Sequence, residues 1–187
     1  MNTASAAIAS CEVSSLSDTT ICIQNYFLTR LSQNWDVWIQ ESYSTAGLSF
    51  WNFNGCYVTF NGYGRYGRQF YMWPSAYYPS EEVGKSKENK KVQSIVKDGA
   101  IITAVGDCLS SRITAVFSAV GTCDTSSNVN SATCVNNNLK NGIGEYWDVA
   151  TSTSSSSYWT YWYYDDCSIL ITNYGSYKRA YSIWKAY

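Results

Sequence analysis

The sequence predicts an all-β fold: a single antiparallel β-barrel of about eight strands with a short N-terminal helix, forming one domain over residues 1–187, with a two-sheet β-sandwich as the alternative. Three observations carry that expectation. Runs of alternating aromatic and small polar residues have the two-residue period of a strand. Asn-Gly and Asp-Gly pairs punctuate those runs where hairpins turn, and only 2 prolines interrupt the chain. The third is the aromatic load of 6 Phe, 8 Trp and 17 Tyr, set against a charged fraction of 14% where an average chain has roughly 25%. So many rings must be buried or must bind something.

The elements follow in order. Asp18 is placed to cap a helix whose apolar face is Ile21, Ile23, Tyr26, Phe27 and Leu31. The first strand begins at Trp35, with Trp35, Val37 and Ile39 on one face and Asp36, Trp38 and Gln40 on the other. Further strands read at residues 56–61, 68–73, 92–96, 100–105, 112–120, 146–151, 158–164 and 180–187. Lys97-Asp98-Gly99 is a tight hairpin turn between two of them. Residues 81–91, 122–144 and 151–157 are polar or low in complexity and read as loops, and a bridge from Cys123 to Cys134 would close the second. No internal repeat is evident.

Composition excludes much chemistry. With 0 histidines the chain has no Ser-His-Asp or Cys-His catalysis, no Cys-His zinc site and no His-ligated haem. A net charge of -1 gives no long-range field to recruit nucleic acid. The 7 cysteines, Cys11, Cys22, Cys56, Cys108, Cys123, Cys134 and Cys167, include no C-x-x-C pair and read as three disulfides with one left over, in any of about 105 pairings. An oxidising compartment follows, and the odd thiol permits a disulfide-linked homo-oligomer. No apolar run reaches the ~20 residues of a spanning helix, and the stretch from Ala4 to Ala9 is too short for a signal peptide, so the chain reads as a mature secreted protein with an added Met.

The motifs divide into bland and informative. Gly62-Tyr63-Gly64-Arg65-Tyr66-Gly67 matches a dinucleotide fingerprint, but the segment after it has a strand pattern where the motif needs a helix, so it reads as a glycine-rich turn. Asp165-Asp166 and Glu81-Glu82 are adjacent pairs whose members point apart in an extended chain, and they read as surface charge. Lys85, Lys87, Lys90 and Lys91 lack interleaved aromatics and read as a solvated loop. The segment from Tyr158 to Tyr164 carries rings on both strand faces. One face serves the core, and the other needs a cavity or an exposed platform.

In order along the chain, Trp35-Asp36-Val37-Trp38 after a helix, Gly55-Cys56-Tyr57-Val58, and Tyr146-Trp147-Asp148-Val149-Ala150-Thr151 followed by Tyr158 and Cys167 resemble the motifs of lipocalins, most of all the disulfide-bonded arthropod type of the tick histamine-binding proteins. The chain departs from them in lacking the glycine before the first tryptophan, the T-D-x-x-Y turn and the C-terminal helix, with Lys185 or Arg179 standing in for the final arginine. The resemblance implies that Trp35 closes a barrel floor and that biogenic amines or fatty-acid-like molecules are the ligands.

The expected function is that of a secreted carrier or scavenger holding a small hydrophobic or aromatic ligand inside the barrel, with no enzymatic chemistry and no metal or other cofactor. Candidate ligand-binding residues are Val37, Ile39, Tyr57, Phe70, Trp73, Phe117, Trp147, Asp148, Trp159 and Tyr161, with Asp148 or Glu41 as counter-charge for a cation. The alternative is a lectin-like or lytic β-sandwich that binds glycans or membranes through an exposed platform of Tyr63, Tyr66, Tyr77, Tyr78 and Trp51.

Overall fold

The computed structural model describes residues 3–41, 46–49, 57–74, 92–106, 108–153, 157–160 and 167–185, which form two compact units. The first unit contains helices α1 (Thr3–Cys11) and α2 (Leu16–Leu31) and strands β1 (Trp35–Gln40), β3 (Val58–Tyr63), β4 (Arg68–Pro74) and β8 (Ser157–Thr160). Its antiparallel sheet has the order β3-β4-β1-β8. The second contains β2 (Ala46–Ser49), β5 (Val92–Lys97), β6 (Ala100–Val105), α3 (Ser110–Cys123), α4 (Asn128–Ile143), β7 (Trp147–Ser152), β9 (Ser168–Tyr174) and β10 (Arg179–Lys185), with sheet order β2-β7-β10-β9-β6-β5.

The expected all-β barrel is therefore corrected to a mostly β chain with two antiparallel sheets and four helices, and among the described residues neither sheet closes on itself. The reason lies in what covers the sheets. In the first unit Trp35, Val37, Ile39, Phe70 and Met72 pack against Ala4, Ala7 and Ile8 of α1 and Ile23 and Phe27 of α2. In the second Trp147, Val149, Ile169, Ile171 and Ile183 pack against Val116 and Val120 of α3 and Val135 and Leu139 of α4. A sheet whose apolar face is sealed by helices has no need to curl onto its own opposite wall. Each large side chain so buried contributes roughly 1.5–3 kcal/mol.

Three of these helices were not expected. Residues 112–120 lie in α3 rather than in a strand, because Ile113, Val116, Phe117 and Val120 are buried at helical spacing although Ile113, Val116 and Val120 are β-branched. Residues 122–144 are mostly α4, whose polar asparagines mask a buried stripe of Ala132, Val135 and Leu139. The helix α1 is short and made largely of small residues. Ser15, rather than Asp18, caps α2, its side chain accepting from the Asp18 amide at 3.2 Å, and Ser127 caps α4 through the Asn130 amide at 3.2 Å. The turn at Asp98-Gly99 is as expected, with φ of 51° and 79° and Lys97 opposite Ala100.

The two units are copies of one motif, which corrects the reading that no repeat is evident. Cys11 bonds Cys22 and Cys123 bonds Cys134, each across a sequence separation of 11. Trp35-Asp36-Val37 follows the first pair at the same spacing as Trp147-Asp148-Val149 follows the second. Tyr63-Gly64-Arg65-Tyr66-Gly67-Arg68 matches Tyr174-Gly175-Ser176-Tyr177-Lys178-Arg179, and Trp73 matches Trp184. Registers agree as well: Asp36 lies opposite Trp73 and Asp148 opposite Trp184, while Tyr63 lies opposite Arg68 and Tyr174 opposite Arg179.

The copies exchange a strand. β2 lies in sequence between β1 and β3 yet pairs with β7, and β8 lies between β7 and β9 yet pairs with β1. The register is shared, Ser49 facing Val149 and Thr160 facing Val37. The third disulfide, Cys108 to Cys167, fastens the segment after β6 to the start of β9. Replacing Cys123 and Cys134 together by alanine is expected to cost about 2–4 kcal/mol, because it frees the closed loop in the unfolded chain. Thermal unfolding of the double variant should show a midpoint lower by several degrees, and an unchanged midpoint would show that the bond contributes nothing.

Candidate functional site

The best-defined polar constellation is the same in both copies: an acidic residue directly after the first cysteine, a Tyr-Gly turn, and a buried arginine that ends the turn. In the first unit the Glu12 carboxylate accepts from the Arg65 amide and, at 3.3 Å, from the Tyr66 amide. Gly64, at φ 79°, lies so close to Glu12 that a Cβ there would collide with the carboxylate. Arg68 Nη1 donates to the Val13 carbonyl at 2.6 Å, its Nη2 to the Ser14 carbonyl at 2.6 Å and its Nε to Glu41 at 3.3 Å. The Tyr66 ring lies 4.5 Å from that guanidinium.

In the second unit Asp124 takes the place of Glu12 and Gly175 that of Gly64, again with no room for a Cβ beside the carboxylate. Arg179, wholly buried, donates from Nη1 to Asp124 at 2.7 Å and to Ser131 Oγ at 2.9 Å. Tyr181 donates to Asp124 at 2.6 Å, and the Tyr177 ring lies 5.0 Å from the guanidinium. Burial, then the hydrogen bond to Asp124, push the Tyr181 hydroxyl well above its ordinary pKa of 10.0. All three hydrogen bonds of Arg179 leave from Nη1, to Asp124, to Ser131 and, at 3.3 Å, to the Tyr181 hydroxyl. The effect of both clusters is to hold a turn rigidly, with Tyr63 and Tyr66 on one tip and Tyr177 on the other partly exposed.

The expected ligand-binding residues divide between the units. Val37, Ile39 and Phe70 belong to the first core with no exposure, whereas Phe117 and Trp147 belong to the second. Trp73 is buried on β4 opposite Asp36, and Asp148 is buried on β7 opposite Trp184. Tyr57 is exposed just before β3. Trp159 stands on β8 opposite Trp38, its side chain outside the described residues, as is all of Tyr161. Glu41 is held by Arg68. Trp35 stacks on Phe27 at 4.7 Å inside the helix-covered core, and Arg179 is committed to Asp124. For the platform, Tyr63 and Tyr66 are exposed as expected, while Trp51, Tyr77 and Tyr78 lie outside the described residues.

Sequence reasoning missed the edges that exchange creates. β8 ends the first sheet and β2 the second, each four residues long, and among the described residues no strand lies beyond them. α2 runs alongside β8 and α4 alongside β2. Each of these edge strands thus has a helix packed beside it. The signal that could have found them was the repeat spacing, not the composition of Ala46-Gly47-Leu48-Ser49, which has little strand propensity.

No family model, no curated protein and no solved structure matches the chain.

Two outcomes test the clusters. Arg179→Met leaves Asp124 facing Tyr181 with no cation, and denaturant unfolding should show a loss of about 3–5 kcal/mol. Because the Tyr181 hydroxyl is raised in the folded state, its contribution is complete below pH 10 and is lost as pH rises beyond it. Stability measured from pH 8 to about pH 11 should thus fall at the upper end, and Tyr181→Phe should flatten that fall; an identical slope in the variant refutes the assignment.

Proposed function

We propose that the chain is an extracellular binding protein without covalent chemistry, whose ligands are extended polypeptide segments added as strands to the edges of β8 and β2, beyond which no strand lies among the described residues. The observation that carries this reading is the reciprocal exchange, which sets a short edge strand beside the second helix of each copy. An edge of that kind supplies main-chain hydrogen bonds for affinity, and a flanking helix supplies side-chain selectivity. Two such edges on one chain make the protein bivalent, so a ligand with two copies of its motif gains avidity. Three disulfides and the absence, among the described residues, of a helix able to cross a membrane support the extracellular setting.

A second reading, glycan recognition, has its own support in the partly exposed Tyr63, Tyr66 and Tyr177 on turns fixed by buried arginines. Tyrosine offers a flat apolar face and a polar tip at small entropic cost, as in other adaptable binding surfaces. Selection from a displayed library of unstructured peptides separates the two. The strand reading expects enriched peptides that bind at two per chain by calorimetry and lose binding when alternate backbone amides are N-methylated. Absence of enrichment, together with signal on a glycan array that Tyr66→Ala and Tyr177→Ala abolish, would replace it with the glycan reading. A small molecule retained at one per chain in native mass spectrometry would instead favour an interior carrier.

A further inference from the structure

The two turn arginines hold the same place in their copies, yet one has all three nitrogens engaged and the other has one. Gln69 faces Gln40 and Ala180 faces Ser152, so Arg68 and Arg179 come next on their strands beside Glu41 and Thr153, the residues that follow β1 and β7. In the first unit Arg68 donates from Nη1 to the Val13 carbonyl, from Nη2 to the Ser14 carbonyl and from Nε to Glu41. In the second, Nη1 alone carries the bonds to Asp124, Ser131 and Tyr181. Nε and Nη2 of Arg179 are buried and have no hydrogen-bond partner among the described residues.

Those two nitrogens form one edge of the guanidinium, where the N–H bonds run parallel and match the two oxygens of a carboxylate. Buried donors are seldom left unpaired in a folded protein, because the water they lose is not replaced. The first unit shows a group that satisfies this position. Glu41 brings a second carboxylate to a turn that already has Glu12, whereas the second unit has Asp124 and, in place of Glu41, the uncharged Thr153. Asp124 does not serve the edge, since it lies on Nη1 at 2.7 Å and accepts from Tyr181 as well. Solvent reaches the equivalent place in the first unit: the Glu41 side chain is 24% exposed although that of Arg68 is only 2% exposed. Thr153 is likewise exposed.

We propose that the Nε–Nη2 edge of Arg179 binds the carboxylate of a small aliphatic acid, which takes the place that Glu41 holds in the first unit. The ligand class follows from Glu41 itself, a planar anion on a slender methylene stem, so an acid of the size of propionate fits the same description. Its oxygens accept from Nε and Nη2 while its stem passes Thr153 toward solvent. Arg179 then serves Asp124 from Nη1 and the ligand from its other edge. That gives the second turn the two carboxylates and one arginine that Glu12, Glu41 and Arg68 already give the first. Occupancy of this site does not depend on a strand added at β2 or β8.

The test titrates the intact, isotopically labelled chain at neutral pH with sodium propionate, against sodium chloride at matched ionic strength, and follows the arginine Nε–H resonances. The Arg179 resonance should move saturably with propionate and little with chloride, while that of Arg68, already bonded to Glu41, stays in place. Thr153→Glu supplies the carboxylate from the chain itself. Because a tethered group acts at an effective concentration of millimolar or above, propionate binding to that variant should weaken roughly tenfold or more. Its thermal unfolding midpoint should also rise. Crystals grown with and without propionate need no variant, and should show the carboxylate oxygens within hydrogen-bonding reach of Nε and Nη2. Equal shifts with the two salts, or an ordered water on that edge in both crystals, would overturn the proposal. So would undiminished binding by Thr153→Glu, which would put the propionate elsewhere.

Discussion

The exchange of β2 and β8 is the constraint on which the architecture depends. Each is a four-residue strand, too short to persist alone, and each adds the terminal strand to a sheet whose other members come mainly from the opposite copy. The two halves of the sequence are thereby tied into a single folding problem. Each sheet needs a segment encoded far from it, which raises the loop-closure entropy to be overcome in folding but makes independent loss of either half costly.

Within each unit a second tie links the helices to the sheet. The disulfide fixes the corner between two helices, and the acidic residue beside its first cysteine reaches the Tyr-Gly turn. The arginine closing that turn is buried, and it is neutralised differently in the two copies. Arg68 draws on two backbone carbonyls and Glu41, Arg179 on Asp124, Ser131 and Tyr181. In both copies the guanidinium also lies against a tyrosine of the turn, 4.5 Å from the Tyr66 ring and 5.0 Å from the Tyr177 ring. The partners adapt around it.

The same comparison separates shared machinery from individual function. Whatever both copies retain, such as Trp-Asp-Val, the paired cysteines and the turn, maintains the fold and its exchanged edges. What they do not share is the β5–β6 hairpin, present on the second sheet and bound to it by Cys108. Among the described residues one copy has a strand at the edge where the other has none.

Several features were legible in the sequence because they depend on neighbours in the chain. The alternation of Trp35, Val37 and Ile39 gave the parity of β1, Asp98-Gly99 gave the turn between β5 and β6, and the glycines from Gly62 to Gly67 gave a turn rather than a phosphate loop. Cysteine usage gave the three bonds seen among the described residues. Other features were not legible, since they are settled by what packs against a segment. Ile113 to Val120 reads equally as strand or helix until the sheet of the second unit selects the helical stripe. Ala46 to Ser49 becomes a strand only because β7 offers an edge. The sequence by itself determined the local periods, the turns, the redox chemistry and the excluded catalytic classes. Tertiary structure alone decided that two helix-backed sheets, neither closed among the described residues, form where one barrel was expected, because pairing between distant strands is a property of edges and not of the residues that fill them.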